Sequence, residues 1–353
     1  MKVCQALAQT GAEVCLWVPG RERAEWPALA EQYGLTTPFE VRWLPSFAPL
    51  KRYDFAYQAL GQAGHWGAEV IYTWLLPVAA WALRRHFATV LELHDRVTGQ
   101  LGPAFFRQFV RLPGKKRLLV ITQALKIRLE QAGRMGIPAG MVQIAPNGTE
   151  LERYTDLPEP AEARSQLGLS QAFTAVYTGH LYPGRGTHLL IDLARALPHI
   201  QFLWVGGRVQ DVAEWRARLI QEGIGNIQLT GFVANAHLPL YQAAGEVLLM
   251  PYERQIAGSS GGNSADICSP MKLFDYLAAG RVILSSDLPV LHEVLNERNA
   301  IFCPPEQSEE WVSTLQRIQT DAALCQALAR QAKTDAAAYT WRGRATRALE
   351  GLG

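Results

Sequence analysis

Two short segments carry residue types and spacings suited to holding an anion. The first is Ser269-Pro270-Met271-Lys272-Leu273-Phe274-Asp275-Tyr276-Leu277-Ala278-Ala279-Gly280. It reads as a helix with Ser269 as N-cap, Pro270 at the first helical position and Gly280 as the stop. A helix N-terminus presents unpaired N–H groups and the positive end of the peptide dipole, a receptor for phosphate. Lys272 adds a cation where the dipole alone disfavours one, and a diphosphate lying between them accounts for that placement. The alternative is an ordinary capped helix with a solvated lysine. Ahead of it, Ala257-Gly258-Ser259-Ser260-Gly261-Gly262-Asn263-Ser264 has the composition to wrap closely around a ligand. The second segment is Tyr177-Thr178-Gly179-His180-Leu181-Tyr182-Pro183-Gly184-Arg185-Gly186. Its glycines let backbone approach a ligand, and Arg185 can fork onto phosphate oxygens. A turn-rich loop with an exposed arginine is the alternative there. No Gly-Lys-Ser/Thr follows and the spacing is not Gly-x-Gly-x-x-Gly, which argues against kinase and nicotinamide chemistry.

Both segments follow short apolar runs. Such runs recur at Glu13–Pro19, Phe39–Pro45, Ala68–Trp74, Thr89–His94, Arg117–Thr122 and Met141–Pro146. They continue at Phe173–Thr178, Gln201–Gly206, Ile227–Phe232, Glu246–Pro251, Arg281–Ser286 and Ala300–Pro304. Most are continuous and not alternating, as parallel strands covered on both faces require. Between them Thr187–Leu197, Val212–Glu222 and Ser308–Thr320 space their apolar residues by three and four, as helices do. Strand–helix alternation repeated twice predicts an α/β chain of two doubly wound Rossmann-like domains. The boundary is expected near Asn147-Gly148-Thr149, with the polar, proline-containing stretch Asp156–Glu162 as linker. This gives an N-terminal domain over 1–150, a C-terminal domain over 151–338 and a last helix over 339–353.

A chain of 353 residues with 48% hydrophobic and 19% charged residues is an ordinary globular composition, which excludes disordered and fibrous classes. The longest apolar stretch, Val70–Leu83, is shorter than the ~20 residues of a membrane-spanning helix. No stretch near Met1 has the layout of a secretory signal. Five scattered cysteines (Cys4, Cys15, Cys268, Cys303 and Cys325) form no Cys-x-x-Cys pair and fit a reducing cytoplasm. Eight dispersed histidines and the lack of Asp-x-Asp give no indication of a metal, and no cofactor is expected. Residues 1–150 carry 17 Lys and Arg against 11 Asp and Glu, and the remainder 17 against 21. A basic half suits an anionic partner, although two differently charged solvated faces explain the asymmetry equally well. The chain opens with a helix containing Val3 and Leu7, stopped by Gly11 and followed by the strand Glu13–Pro19. A doubly wound domain places a central strand and its glycine turn before that helix. The reading therefore expects the natural start roughly 15–20 residues upstream.

Taken in order, these segments resemble family 4 glycosyltransferases, retaining enzymes of GT-B architecture. The similarity runs from Tyr177 through Trp341. It includes Gly179…Arg185-Gly186, Val205-Gly206-Gly207, Gly231-Phe232-Val233, the block Ser269–Gly280, Ser286-Asp287-Leu288-Pro289 and Tyr339-Thr340-Trp341. In the first half Ala6-Leu7…Gly11-Ala12-Glu13-Val14, Leu93-His94-Asp95 and Pro146-Asn147-Gly148-Thr149-Glu150 fit as well. The resemblance implies two Rossmann-like domains facing a cleft, with the first strand of the N-terminal domain missing and the last helix packing back on that domain. It also implies transfer of a sugar from a nucleoside-diphosphate donor to a hydroxyl of a glycan, lipid-linked or small-molecule acceptor.

Residue by residue, the resemblance assigns Arg185 and Lys272 to the donor diphosphate, helped by the N–H groups around Met271 and Leu273. Gly179, His180, Tyr182 and Gly184 belong to the donor loop, with Gly207 after the next strand. The backbone of Phe232 and Val233 faces the base, Asp275 stands where a glutamate usually holds the ribose, and His94 approaches the transferred sugar. Several positions depart from the family pattern. Its first acidic position is Ile267 here, with Asp266 one off, and its loop arginine and lysine are His180 and Arg185. His94, beside Asp95, is equally readable as a packed histidine. No nucleophile pair for double displacement stands out, so same-face attack assisted by the leaving phosphate is the implied route. Phe105-Phe106-Arg107-Gln108-Phe109-Val110-Arg111 with Lys115-Lys116-Arg117 mixes aromatics with cations, as a surface for anionic lipid headgroups does. A core-facing helix with a basic turn is the alternative. Trp66, Trp74 and Trp81 are candidates to stack on sugar or lipid. The expected setting is cytoplasmic, with peripheral contact at the inner membrane face and no nucleic-acid partner. The other function classes are a GT-B binding or scaffold protein that has lost catalysis, and a nucleotide-sugar epimerase, which needs paired carboxylates.

Overall fold

Each of the twelve apolar runs overlaps a strand, Ala88–Leu93 and Lys116–Val120 beginning one residue ahead of their runs, and every ladder between these strands is parallel. The computed structural model describes residues 1–21, 23–50, 52–131, 136–138, 140–256 and 263–352. It divides into a first unit, Met1–Pro146 with Trp341–Gly353, and a second, Asn147–Thr340.

In the first unit the strands are β1 (Cys15–Pro19), β2 (Glu40–Leu44), β3 (Val70–Thr73), β4 (Ala88–Leu93), β5 (Lys116–Val120) and β6 (Val142–Ile144). They form two sheets, a β1–β2 pair and the four-stranded β3-β4-β5-β6. Helices Tyr53–Trp66, Leu76–Arg84 and Gly102–Arg111 bury alanine, leucine and phenylalanine against this framework. The helix Trp341–Leu349 returns to this unit, where Trp341 and Ala345 pack with Ala6 and Leu7 of the helix Lys2–Gln9.

The second unit holds β7 (Thr174–Thr178), β8 (Gln201–Val205), β9 (Ile227–Gly231), β10 (Val247–Met250), β11 (Val282–Ser286) and β12 (Ile301–Cys303) in one sheet of order β12-β11-β10-β7-β8-β9. That order is doubly wound, and it reverses between β7 and β10. The core packs Tyr177, Phe202, Trp204, Leu249 and Leu284 from the strands against Leu190, Leu193, Trp311 and Leu315 from the helices. The stretch expected as a linker is not one. Pro160 opens the helix Pro160–Leu167 inside the second unit, because proline's missing N–H costs nothing in a first helical turn. No described helix is long and apolar enough to cross a membrane.

The basic turn after the helix Gly102–Arg111 is largely structural. Lys116 Nζ donates to the carbonyls of Phe109 at 3.0 Å, Val110 at 2.6 Å and Leu112, closing that helix's C-terminus. Arg117 does the same for the last helix through the carbonyls of Arg347 and Glu350. Phe106, Phe109 and Val110 are buried, and Phe105 packs with Tyr53 and Trp81. Arg107, Arg111 and Lys115 stay exposed.

Candidate functional site

The two segments singled out in the sequence meet at the carboxyl ends of β7 and β10, where the strand order reverses. Open parallel sheets bind ligands in the crevice at such a point. Gly186, which leads from the loop after β7 into the helix Thr187–Ala196, makes the approach possible. A Cβ there would stand 1.7 Å from the carbonyl oxygen of Pro251, just after β10, and φ is +75°. Only glycine closes that gap.

Lys272 and Arg185 both reach the ring of Tyr252. Lys272 Nζ lies 5.2 Å and the Arg185 guanidinium 5.1 Å from its centroid. The ammonium also sits 3.8 Å from the Tyr177 ring centroid, and the guanidinium 4.7 Å from that of Tyr182, whose hydroxyl it bonds. Among the described residues Lys272 Nζ is buried without a hydrogen-bond partner, and so is Arg185 Nε. Desolvating an ammonium costs several kcal/mol, whereas a cation–π contact returns about 2 kcal/mol even when buried. Burial and the nearby Arg185 charge therefore hold Lys272 well below the ordinary lysine range. Arg185 is also disfavoured by burial, but Tyr252 and the bonded Tyr182 hydroxyl outweigh this and keep it charged. Two convergent basic side chains with no carboxylate partner among the described residues are what an incoming dianion would satisfy.

That arrangement has a consequence for pH. An anion bound at Nζ returns the Lys272 pKa toward its ordinary value, so binding takes up a proton. Affinity for a nucleoside diphosphate is expected to fall as pH rises toward the ordinary lysine range, because the empty site loses its proton first. Calorimetric titration in two buffers of different ionisation enthalpy measures the uptake; identical heats and a flat pH profile would contradict it.

The other expected donor-site residues are placed as follows. Gly179 backs onto Lys272, since a Cβ there would lie 2.9 Å from Nζ. His180 stacks on Tyr182 at 5.3 Å, and burial followed by the charges of Arg185, Arg208 and Lys272 lowers its pKa, so it adds no charge near neutrality. Gly184 lies against Gln255 and Ile256, and Gly207 against Leu181 and Val212. Phe232, which is 68% exposed, and Val233 follow the end of β9. Ile267, the residue at the family's acidic position, is fully buried, which explains its apolar side chain. Asp266 beside it reaches the field of Cys268, whose thiol burial pushes up to about 11 against the opposing effect of Arg185.

Two expectations about the helix after β10 require correction, its start and the free Leu273 N–H. The helix is Met271–Ala279, with Pro270 and not Ser269 as N-cap, and no side chain caps it. Ser269 Oγ instead accepts from the Asn147 N–H at 3.3 Å, and the Ser269 carbonyl accepts from Asn147 Nδ2 at 2.6 Å. The Leu273 N–H bonds the Pro270 carbonyl at 3.1 Å and is not available to a ligand; Met271 has the open first-turn amide. Asp275 accepts from the Thr149 hydroxyl at 2.9 Å, a bond that ties the start of this unit to the helix. Residues 257–262 of the glycine-serine run lie outside the described residues. The reading of the sequence missed Tyr252 as the floor shared by both cations; an aromatic two residues past β10 is its only sequence signal.

In the first unit His94 follows β4, and Trp74 follows β3 on the adjacent strand. Their rings meet edge to face at 6.0 Å. His94 Nε2 bonds the buried carboxylate of Glu92.

The family model for group 1 glycosyl transferases matches residues 172–321. An alpha-galactosylglucosyldiacylglycerol synthase of Streptococcus pneumoniae is 25% identical over 219 residues, which span 60% of this chain and 54% of that protein. The chain thus spans about half the length of this curated relative. Among solved structures, Anabaena Alr3699/HepE in complex with UDP and glucose superposes with a TM-score of 0.74 at 18% identity, over 99% of this chain and 95% of that one. WaaG, a glycosyltransferase of lipopolysaccharide biosynthesis, gives 0.69 at 17% identity, over 100% and 94%.

Proposed function

We propose that this member of the group 1 glycosyl transferases, a chain of GT-B fold, moves a sugar from a nucleoside-diphosphate donor to a hydroxyl of a glycan, lipid-linked or small-molecule acceptor, with retention at the anomeric carbon. The observation that carries the reading is the Lys272–Arg185 pair on the Tyr252 ring, buried and, among the described residues, lacking anionic partners beside the open amide of Met271. UDP and glucose in the Anabaena protein and the lipid-glycosylating name of the streptococcal one support it.

The chemistry asks little covalent work of the protein. The acceptor oxygen attacks the anomeric carbon on the face the phosphate leaves, and the bond to the phosphate oxygen breaks. The acceptor's proton passes to that departing oxygen. Negative charge grows on the diphosphate, and Arg185, Lys272 and the helix N-terminus stabilise it by about 3 kcal/mol for each well-placed donor. Two cationic side chains take the role a divalent ion would otherwise have, so the reaction is proposed to be metal-independent. Asp275 is proposed for the ribose, the Phe232–Val233 backbone for the base, and His94 for the sugar. Arg107, Arg111 and Lys115 are proposed to meet anionic lipid at the inner membrane face.

Calorimetric titration with UDP, GDP, ADP and their sugars tests donor binding, and nucleotide release in the presence of acceptor tests transfer. Micromolar binding to one nucleotide class and acceptor-dependent release insensitive to a chelator are expected. Binding without release in any acceptor screen identifies a binding protein, and no binding at all overturns the reading.

A further inference from the structure

Glu92 is the buried centre of a polar cluster at the carboxyl end of β4 that the donor site does not use. Glu92 lies in β4 and His94 just past its end, two residues on, and their side chains meet. Glu92 Oε1 meets His94 Nε2 and lies 2.7 Å from Arg344 Nη2, while Oε2 accepts from the Tyr72 hydroxyl. Arg344 comes from the last helix. Its Nη1 donates to Tyr72 Oη at 2.9 Å, and its Nε donates to the carbonyls of Pro146 at 3.0 Å and Ala145 at 3.3 Å. Glu92 and Arg344 are each 2% exposed at the side chain, whereas His94 is 44% exposed. The cluster is thus a buried ion pair with one accessible end.

Burial alone would raise the Glu92 pKa, but the His94 bond and the Arg344 charge outweigh it and pull the carboxyl down to about 2. An ionised carboxylate has no proton to give. The proton in the Glu92–His94 bond must then sit on Nε2, which leaves the lone pair on Nδ1 whenever the ring carries a single proton. Trp74 holds the ring from the side.

We propose that Glu92 is a positioning residue: it fixes His94 as the Nε2–H tautomer, so that Nδ1 is the ring's acceptor for a sugar hydroxyl, and Arg344 of the last helix locks Glu92 in place. The sugar as ligand rests on the function proposed above; the tautomer does not. Glu92→Gln and Glu92→Leu test different parts of this. Oε1 faces both His94 and Arg344 while Oε2 faces Tyr72, so in E92Q the amide oxygen takes the place of Oε1 and the NH₂ faces the Tyr72 hydroxyl, which can accept. E92Q therefore keeps the Nε2–H tautomer. An apolar side chain there removes the acceptor and lets the ring proton exchange between the two nitrogens.

The experiment uses the full chain labelled with ¹⁵N-histidine, observed where the rings are neutral, with His94 assigned by its absence in H94N. The wild type and E92Q are both expected to show a protonated Nε2 and a bare Nδ1. E92L/R344M replaces the ion pair with apolar side chains of similar reach, and His94 there should become a mixture of tautomers whose two shifts draw together. In that variant kcat for sugar transfer should fall at least about tenfold while the donor KM holds, and E92Q should retain most of it. Should E92L/R344M fold poorly, the wild-type shifts decide alone. A wild-type Nδ1–H ring, or unchanged His94 shifts in folded E92L/R344M, overturns the proposal. A wild type that transfers no sugar overturns the proposed function instead, and the nitrogen shifts still decide the role of Glu92.

Discussion

Lys272→Met leaves the second unit at least as stable as before and removes most of its affinity for a nucleoside diphosphate. The two effects have opposite signs because the side chain is poorly solvated in the empty site and needed in the filled one. In the empty site Nζ is buried with aromatic rings and no hydrogen-bond partner among the described residues. Replacing a buried charge by an apolar side chain of similar length is commonly neutral or stabilising, here by about 1 kcal/mol. In the filled site a charge-assisted hydrogen bond to phosphate is lost, a change of about 3 kcal/mol or roughly a hundredfold in affinity. Arg185→Met should lose comparable affinity but gain no stability, because the guanidinium stacks on Tyr182 and Tyr252 and bonds the Tyr182 hydroxyl. Thermal midpoints without ligand and calorimetric titrations with UDP, GDP and ADP measure both quantities. A K272M protein that binds its nucleotide as tightly as the wild type would show that the diphosphate lies elsewhere.

Gly186→Ala is expected to destabilise the second unit by about 3 kcal/mol. Left-handed backbone costs a non-glycine residue about 1–2 kcal/mol, and forcing atoms into a packed contact adds about 1–3 kcal/mol. Both penalties apply, with φ at +75° and the new methyl 1.7 Å from the Pro251 carbonyl oxygen. Backbone opposes backbone, so neither partner can rotate away. Relief must come from separating the loop that carries Arg185 from the segment that leaves β10, and nucleotide affinity should fall with stability. Gly168→Ala separates the two penalties, because φ is +65° there and nothing stands within 4 Å of the added carbon. It should cost only the backbone term. Urea unfolding of the three proteins provides the comparison, and equal midpoints for the two variants would mean that the contact at Pro251 relaxes freely.

The strands were legible because a buried parallel strand is a continuous apolar run, and shortness, flanking turn residues and β-branched or aromatic content separate such runs from buried helix segments. Boundaries were less so. Asp156–Glu162 has the composition of a linker, yet Pro160 starts a helix, since the same residue suits a loop and a first helical turn. Ser269 illustrates a related limit. As a residue type it is a good N-cap, but a distant partner, Asn147, occupies its hydroxyl, and local propensity carries no information about that partner.

The candidate site divides along the same line. Glycine positions, the phosphate-suited helix and the cations Arg185 and Lys272 are local signals of residue type and order, and the chain alone reveals them. Which groups share an environment depends on packing between segments far apart in the chain. Tyr252 between the two cations, the buried Lys272 amine with no hydrogen-bond partner among the described residues, and the Arg344–Glu92–His94 chain joining the last helix to the end of β4 exist only after each unit folds. Residue identity sets what a side chain can donate, accept or carry. Desolvation and proximity set whether it is charged and what it awaits, and both are properties of the folded surroundings.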